Sequence, residues 1–198
     1  KVRHIDGNNH LVLLCKNETG YKNLIKLVSA GFLQGFYSKP RIDKELLEQY
    51  HEGLICLSAC LAGEVPQALL ANDYERAKST ALWFNDLFGQ GNYYLELQDH
   101  GLQEDPIVLP QLIRLSKETG IPLVATNDSH YIQKEDAKMQ EILLCIQTGK
   151  TIDDADKMEF QTDEFYLKST QEMYDLFSYV PEACENTNKI AEMCNFDF

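Results

Sequence analysis

The chain reads as an α/β fold of about four strand–helix units followed by a short helical connector. Three observations predict it. Short apolar runs of strand length alternate with stretches of helical period. Gly, Asn and Asp fall between them as turn residues. After Gly149 the pattern gives way to an acidic, turn-like segment with Asp153, Asp154, Asp156, Asp163 and Glu164. Residues 1–150 therefore read as the α/β unit and residues 151–198 as the connector.

The first strand is expected over His10–Cys15, before a helix through Gly20–Leu33 whose Leu24, Leu27 and Val28 share a face. Pro40-Arg41-Ile42-Asp43 leads into a short helix with Asp43 as N-cap. The second strand, Leu54–Ala59, precedes helical segments at Glu64–Leu70 and Asp73–Phe88. The third strand is Asn92–Gln98, followed by a helix over Asp105–Thr119. The fourth strand, Ile121–Asn127, is entered from the turn Thr119-Gly120, and a helix covers about Glu135–Thr148. In the connector, Thr170 opens an imperfect capping box with Met173, and Pro181 suits the first turn of the last helix. Helical spacers between strands imply a parallel sheet or barrel. Four units are too few for a closed barrel, which commonly needs about eight. The polar opening Lys1–Asn9 has no initiator Met, so the sequence looks like a piece of something longer.

At 198 residues, with 44% apolar residues, the chain can bury a core. Its 18 Lys and Arg face 31 Asp and Glu, for a net charge of −13, which excludes a basic stripe gripping nucleic acid. Six cysteines form no CxxC pair, and four lie in apolar runs as small core residues. A reducing cytoplasm is expected. No apolar run reaches the ~20 residues of a membrane span.

The most informative stretch is Asn127-Asp128-Ser129-His130-Tyr131, at the end of a buried strand, where α/β folds keep their chemistry. On an extended backbone Asp128 and His130 would point the same way and could share an ion or a proton path. A surface loop with a capping Asp is the alternative. Cys60 lies just past the second strand, ahead of Gly63, placed for metal ligation or a lowered pKa. A buried free thiol is its plainer reading. His10 opens the first strand, where a lone His is more often structural, and a strand's start is the wrong end for a site at strand ends. Together these are ligands for zinc or a similar divalent ion. Glu96 could orient a ligand, and His100 could be a ligand, a substrate contact or a surface residue. Lys39 and Arg41 could hold a phosphate or carboxylate, though a solvated basic loop explains them as well. No nucleophile elbow, phosphate-binding Gly-rich loop or dinucleotide fingerprint occurs.

The segments His10-Leu11-Val12-Leu13-Leu14-Cys15-Lys16-Asn17, Gly20-Tyr21-Lys22-Asn23-Leu24, Lys39-Pro40-Arg41-Ile42-Asp43, Leu57-Ser58-Ala59-Cys60-Leu61-Ala62-Gly63-Glu64, Tyr94-Leu95-Glu96-Leu97-Gln98 and Ala125–Tyr131 resemble, in order, the polymerase-and-histidinol-phosphatase (PHP) domain of the bacterial DNA polymerase III alpha subunit. The tail Glu164–Ser169 through Pro181–Ala183 is similar to that family's passage towards the polymerase palm. The resemblance covers nearly the whole chain. It implies a partial, distorted β/α barrel with metal ions at one end, and puts His10, Cys60, Asp128 and His130 at four ligand positions. It implies zinc, or manganese or magnesium, in a site incomplete here, because the family's His-x-His strand, Asp-His segment and Glu have no counterpart in this chain. It further implies DNA synthesis by the whole protein through downstream carboxylates, and a 3′–5′ exonuclease or phosphoesterase reaction, or a structural role, for the PHP site. DNA and nucleotides would be held by other domains, and the proofreading exonuclease subunit and replisome components would be partners. A free-standing PHP phosphoesterase acting on a small phosphate ester is the alternative.

The charge balance carries a first prediction. The isolated chain binds duplex DNA weakly at physiological salt, because each phosphate contact needs a Lys or Arg to release counterions. A salt titration by fluorescence anisotropy checks this. Tight binding with a steep salt slope would contradict it.

Overall fold

The structure, a computed structural model, describes residues 7–197. Most of the polar opening, residues 1–6, and the last connector residue, Phe198, lie outside the described residues. The elements run β1 (Val12–Cys15), α1 (Glu18–Leu33), α2 (Lys44–Tyr50), β2 (Leu54–Leu57), α3 (Glu64–Leu70), α4 (Tyr74–Phe88), β3 (Tyr93–Leu97), α5 (Asp105–Thr119), β4 (Leu123–Ala125), a 3-10 turn (Lys134–Asp136), α6 (Ala137–Thr148), α7 (Thr170–Leu176) and α8 (Pro181–Met193). One four-stranded sheet in the order β1-β2-β3-β4 organises them. The α/β class is as the periodicity predicts.

The pairing differs at one edge. β2, β3 and β4 are parallel, but β1 is antiparallel to β2, with Val12 opposite Leu57 and Cys15 opposite Leu54. The reason lies in the connection. α1 and α2 return the chain to the end of the sheet that β1 left, and Lys16 N donates to Gly53 O at 2.9 Å. The contact is tight at Gly20, in the first turn of α1, where a Cβ would stand 1.9 Å from Gly53 O. Asn17 caps α1 through its side chain, accepting from Gly20 N at 3.0 Å. By contrast, α3 with α4, and α5 alone, carry the chain back across the sheet, so the next strand enters parallel.

Alternation along the strands divides the core. Cys56, Tyr93, Leu95, Leu97 and Leu123 face one layer, filled by Leu27, Val65, Leu69, Phe84, Leu112 and Leu115 from the helices. Ile55, Leu57, Tyr94 and Val124 face the other, where Ile190 of α8 covers them. Asn186 Nδ2 donates to Leu123 O at 2.7 Å and fixes α8 across β4. The last helix of the expected connector is thus part of the sheet's own packing. No helix among the described residues is long and apolar enough to cross a membrane.

Most helix starts agree with the sequence reading. Asp43 caps α2, accepting from Leu46 N at 2.9 Å, and Pro181 opens α8. The cap of α7 is one residue earlier than expected. Ser169, not Thr170, accepts from Glu172 N at 3.3 Å, while Glu172 Oε2 accepts from Ser169 N at 2.8 Å. This reciprocal box uses Glu172 as its third residue, the acceptor that Met173 cannot supply. Ser169→Ala should therefore cost about 1 kcal/mol and Thr170→Ala only a few tenths. Urea denaturation of the two variants distinguishes the registers, since a cap at Thr170 would reverse the order.

Candidate metal centre

The reversed strand removes the difficulty with His10. Because β1 runs antiparallel to β2, its beginning lies beside the end of β2, where Cys60 follows. His10 N donates to Ala62 O at 3.0 Å, and His10 pairs with Gly63 in an isolated parallel bridge. His10 Nδ1 and Cys60 Sγ then lie 3.4 Å apart. The turn that presents Cys60 is tight. Ala59 is left-handed (φ 65°), Gly63 N donates to Cys60 O at 2.8 Å, and a Cβ on Gly63 would come 2.1 Å from Ser58 O. Glycine is required there by close approach.

Asp128 and His130 also meet, with His130 Nε2 3.4 Å from Asp128 Oδ1. Their route differs from the one expected. β4 stops at Ala125, and Asp128 takes a left-handed conformation (φ 45°), so a turn rather than an extended strand joins them. That turn is held from a distance. Phe165 O accepts from His130 N at 2.8 Å, and Tyr131 O accepts from Leu167 N at 3.1 Å. With its amide oriented to satisfy both neighbours, Asn127 donates to Tyr166 O (3.2 Å) and accepts from Lys168 N (2.6 Å).

A cavity of about 230 Å³ joins the two halves. Cys60, Asp128, Glu96, Gln98, His100 and Phe165 are among its lining, with an aliphatic wall from Leu102, Val108, Leu109 and Leu112 of α5 and the loop before it. Glu96 is only 4% exposed. Its Oε1 accepts from Gln98 Nε2 at 3.0 Å and from Thr126 Oγ1, and its Oε2 has no hydrogen-bond partner of good geometry among the described residues. Burial pushes the Glu96 carboxyl above its ordinary range, and the Asp128 charge adds to this against the hydrogen bonds. His100 is buried and donates from Nε2 to Asn127 O at 2.9 Å. Lys39 and Arg41 are not in this lining. Arg41 borders a separate apolar groove between α1 and β1 and donates to Tyr37 O at 3.2 Å. The Cys60 thiol also departs from one sequence reading: burial raises its pKa, with the Asp128 and Glu96 charges adding to the effect. A coordinated cation inverts that ordering, since a ligating thiol is deprotonated.

Zinc bonds of about 2.0 Å to nitrogen and 2.3 Å to sulfur, at the tetrahedral angle, separate the donors by about 3.5 Å. The His10–Cys60 and Asp128–His130 separations, 3.4 Å each, match that spacing within each pair. Imidazole, thiol and carboxylate donors suit such an ion, and the orphaned Glu96 oxygen adds an acceptor on the same cavity. Among the described residues, however, no three His, Cys, Asp or Glu side chains close around a single point. The residues fit as two half-sites.

A family profile described as the PHP domain matches residues 1–100, half of the chain. This chain belongs to the PHP domain family. It is also similar to proteins named DNA polymerase III subunit alpha. It is 53% identical to that of Borreliella burgdorferi and 52% identical to that of Treponema pallidum, over 94% of this chain and 16% of each relative. It is 44% identical to that of Deinococcus radiodurans, over 96% of this chain and 14% of the relative. The chain thus spans about a sixth of the length of the curated relatives it matches.

Three features of this PHP domain escaped the sequence reading: the Thr126 hydroxyl on Glu96, the Ser58 Oγ that accepts from Glu96 N at 2.8 Å, and the Phe160–Phe165 pair against the His130 ring. Thr126 adjoins the recognised Asn127, and position was its only signal. Because the folded pKa of Glu96 is raised, the folded chain holds that proton more tightly than the unfolded one. The associated stability is complete below the unfolded value near 4.5 and is lost as pH rises through the folded value. In the presence of a chelator, Glu96→Gln should therefore gain stability relative to wild type as pH rises from 4 to 8. Melting curves across that range check it, and a constant difference would show that Glu96 ionises freely.

Proposed function

We propose that this chain is a metal-bearing PHP segment of a replicative DNA polymerase III alpha subunit. Residues 1–150 form the C-terminal portion of the PHP unit, and residues 151–198 run towards the palm. The observation that carries the metal reading is that Cys60 and Asp128 line one cavity and each lies at ligand spacing from a histidine, His10 and His130. The relatives support the parent, which carries out DNA-directed DNA synthesis with its own carboxylates elsewhere. The free-standing phosphoesterase has no comparable support, because the relatives given above are all named polymerase subunits.

In this reading His10, Cys60, Asp128 and His130 hold divalent ions, zinc first and manganese or magnesium next. A bound ion activates water and stabilises charge on phosphoryl oxygens. Gln98 and Thr126 hold the Glu96 carboxyl at the back of the cavity, and His100 fixes the carbonyl of Asn127 beside Asp128. The net charge of −13 suits a scaffold and partner surface, with DNA and nucleotides held by other domains. The proofreading exonuclease subunit and replisome components are the proposed partners, in the cytoplasm, with no membrane involved.

Two measurements test this. In the full-length alpha subunit, Cys60→Ser and Asp128→Asn should each weaken zinc binding at least about tenfold in a competitive dye titration. Affinity unchanged in both would defeat the metal reading. The isolated chain should release 3′-terminal nucleotides only at background rate with zinc or manganese, because two half-sites lack the fixed geometry such chemistry needs. Metal-dependent release that His130→Ala abolishes would show that these ligands suffice.

A further inference from the structure

We propose that residues 160–168 form a strap that positions the Asp128–His130 half-site, with Phe165 as its positioning residue. The inference rests on the metal reading above. Phe165 is buried and meets the site in three ways. Its carbonyl accepts from His130 N at 2.8 Å. Its ring lies edge-on to the His130 ring, with centroids 5.7 Å apart and planes at 75°. The His100 ring is stacked on it at 4.1 Å and 9°. That same His100 donates to Asn127 O at 2.9 Å, one residue before Asp128. Phe165 therefore holds one end of the turn directly, at His130, and reaches the other, at Asn127, through His100.

The rest of the strap fixes Phe165. Thr162 Oγ1 donates to His100 O at 2.7 Å, Phe165 N donates to Tyr131 Oη at 3.3 Å, and Tyr166 pairs with Tyr131 in a parallel bridge. Phe160 packs on both the His130 and Phe165 rings, at 4.6 and 4.5 Å between centroids. Lys134, just past the turn, forms an ion pair with Glu164. Lys168 is buried and donates to Glu164 O, closing the strap on itself.

Asp tolerates a left-handed turn, but that conformation alone does not fix where the Asp128 carboxylate lies relative to His130. Here the constraint comes from these non-local contacts. Since α7 follows immediately after the strap, the ligand turn and the downstream helices share one set of bonds. Binding at Asp128 and His130 and ordering of the strap must then favour each other reciprocally.

The test uses full-length alpha subunit stripped of metal, with zinc affinity by dye competition and the visible absorption of bound cobalt as readouts. Phe165→Leu keeps an apolar side chain but removes the ring. It should weaken zinc binding about tenfold, the scale of other outer partners of metal ligands, and shift the cobalt bands. Ile190→Val, in α8 against Tyr94 and Val124 rather than against the strap, should lower the metal-free melting temperature and leave both readouts unchanged. Thr162→Val, which removes one hydroxyl from a partly exposed position, should move the readouts in the same direction as Phe165→Leu. It decides the matter if Phe165→Leu fails to fold. Wild-type affinity and bands in the folded Phe165 and Thr162 variants would overturn the strap while leaving the metal reading intact. An equal loss in Ile190→Val would also overturn the strap, by making the effect one of general stability. A wild-type protein that binds neither zinc nor cobalt would overturn both.

Discussion

The antiparallel pairing of β1 with β2 is the constraint on which the site depends. Strand direction decides which end of a strand faces the mouth of an α/β sheet. If β1 ran parallel to its neighbours, His10 would lie at the opposite end of the sheet from Cys60, separated by the length of the strand. The reversal rests on the return through α1 and α2 and on the close approach of Gly20 to the Gly53 turn. Two small residues far from the cavity thus determine whether imidazole and thiol can meet at all. Bulk at either glycine would push α1 away from the start of β2 and carry the end of β1 with it.

The second constraint is electrostatic. Glu96, Asp105 and Asp128 share a cavity otherwise lined largely by aliphatic side chains, and among the described residues no Lys or Arg enters that lining. Burial raises the cost of ionising Glu96 and Cys60, the Asp128 charge adds to it at both, and the Glu96 charge adds to it at Cys60. Two hydrogen-bonded neighbours stabilise one oxygen of Glu96, and the other has no partner of good geometry among the described residues. A divalent cation held as proposed would lower the cost of ionising Glu96 and Cys60 together.

Much of this was legible in the sequence, for identifiable reasons. The strands and long helices follow from local apolar periodicity, and Cys60, Asp128 and His130 stand out as candidate ligands because they follow apolar runs. What local pattern cannot carry is direction. Nothing in His10–Cys15 says that this strand runs against the next, so His10 looked misplaced. The Asp128–His130 pair was found on the assumption of extended backbone, whereas Asp128 has a positive φ and the two meet across a turn. The α7 cap moved by one residue because Ser169 and Thr170 are both competent caps, and only the partner at Glu172 separates them. Lys39 and Arg41 were drawn to the site by chemical type alone, and the α1–α2 connection puts Arg41 on another groove.

The least legible part is also the most consequential for function. The bond from Phe165 N to the Tyr131 hydroxyl spans 34 residues of sequence, and aromatic side chains in an acidic, turn-like segment look like punctuation. In the folded chain the same segment brings Phe165 into the cavity lining and contacts the Asp128–His130 turn. One stretch of polypeptide therefore both finishes the candidate site and leads to α7 and α8, whose Ile190 covers the second face of the sheet. A site and a connector that share residues cannot vary independently. A change in the path of residues 160–168 is therefore felt at His130.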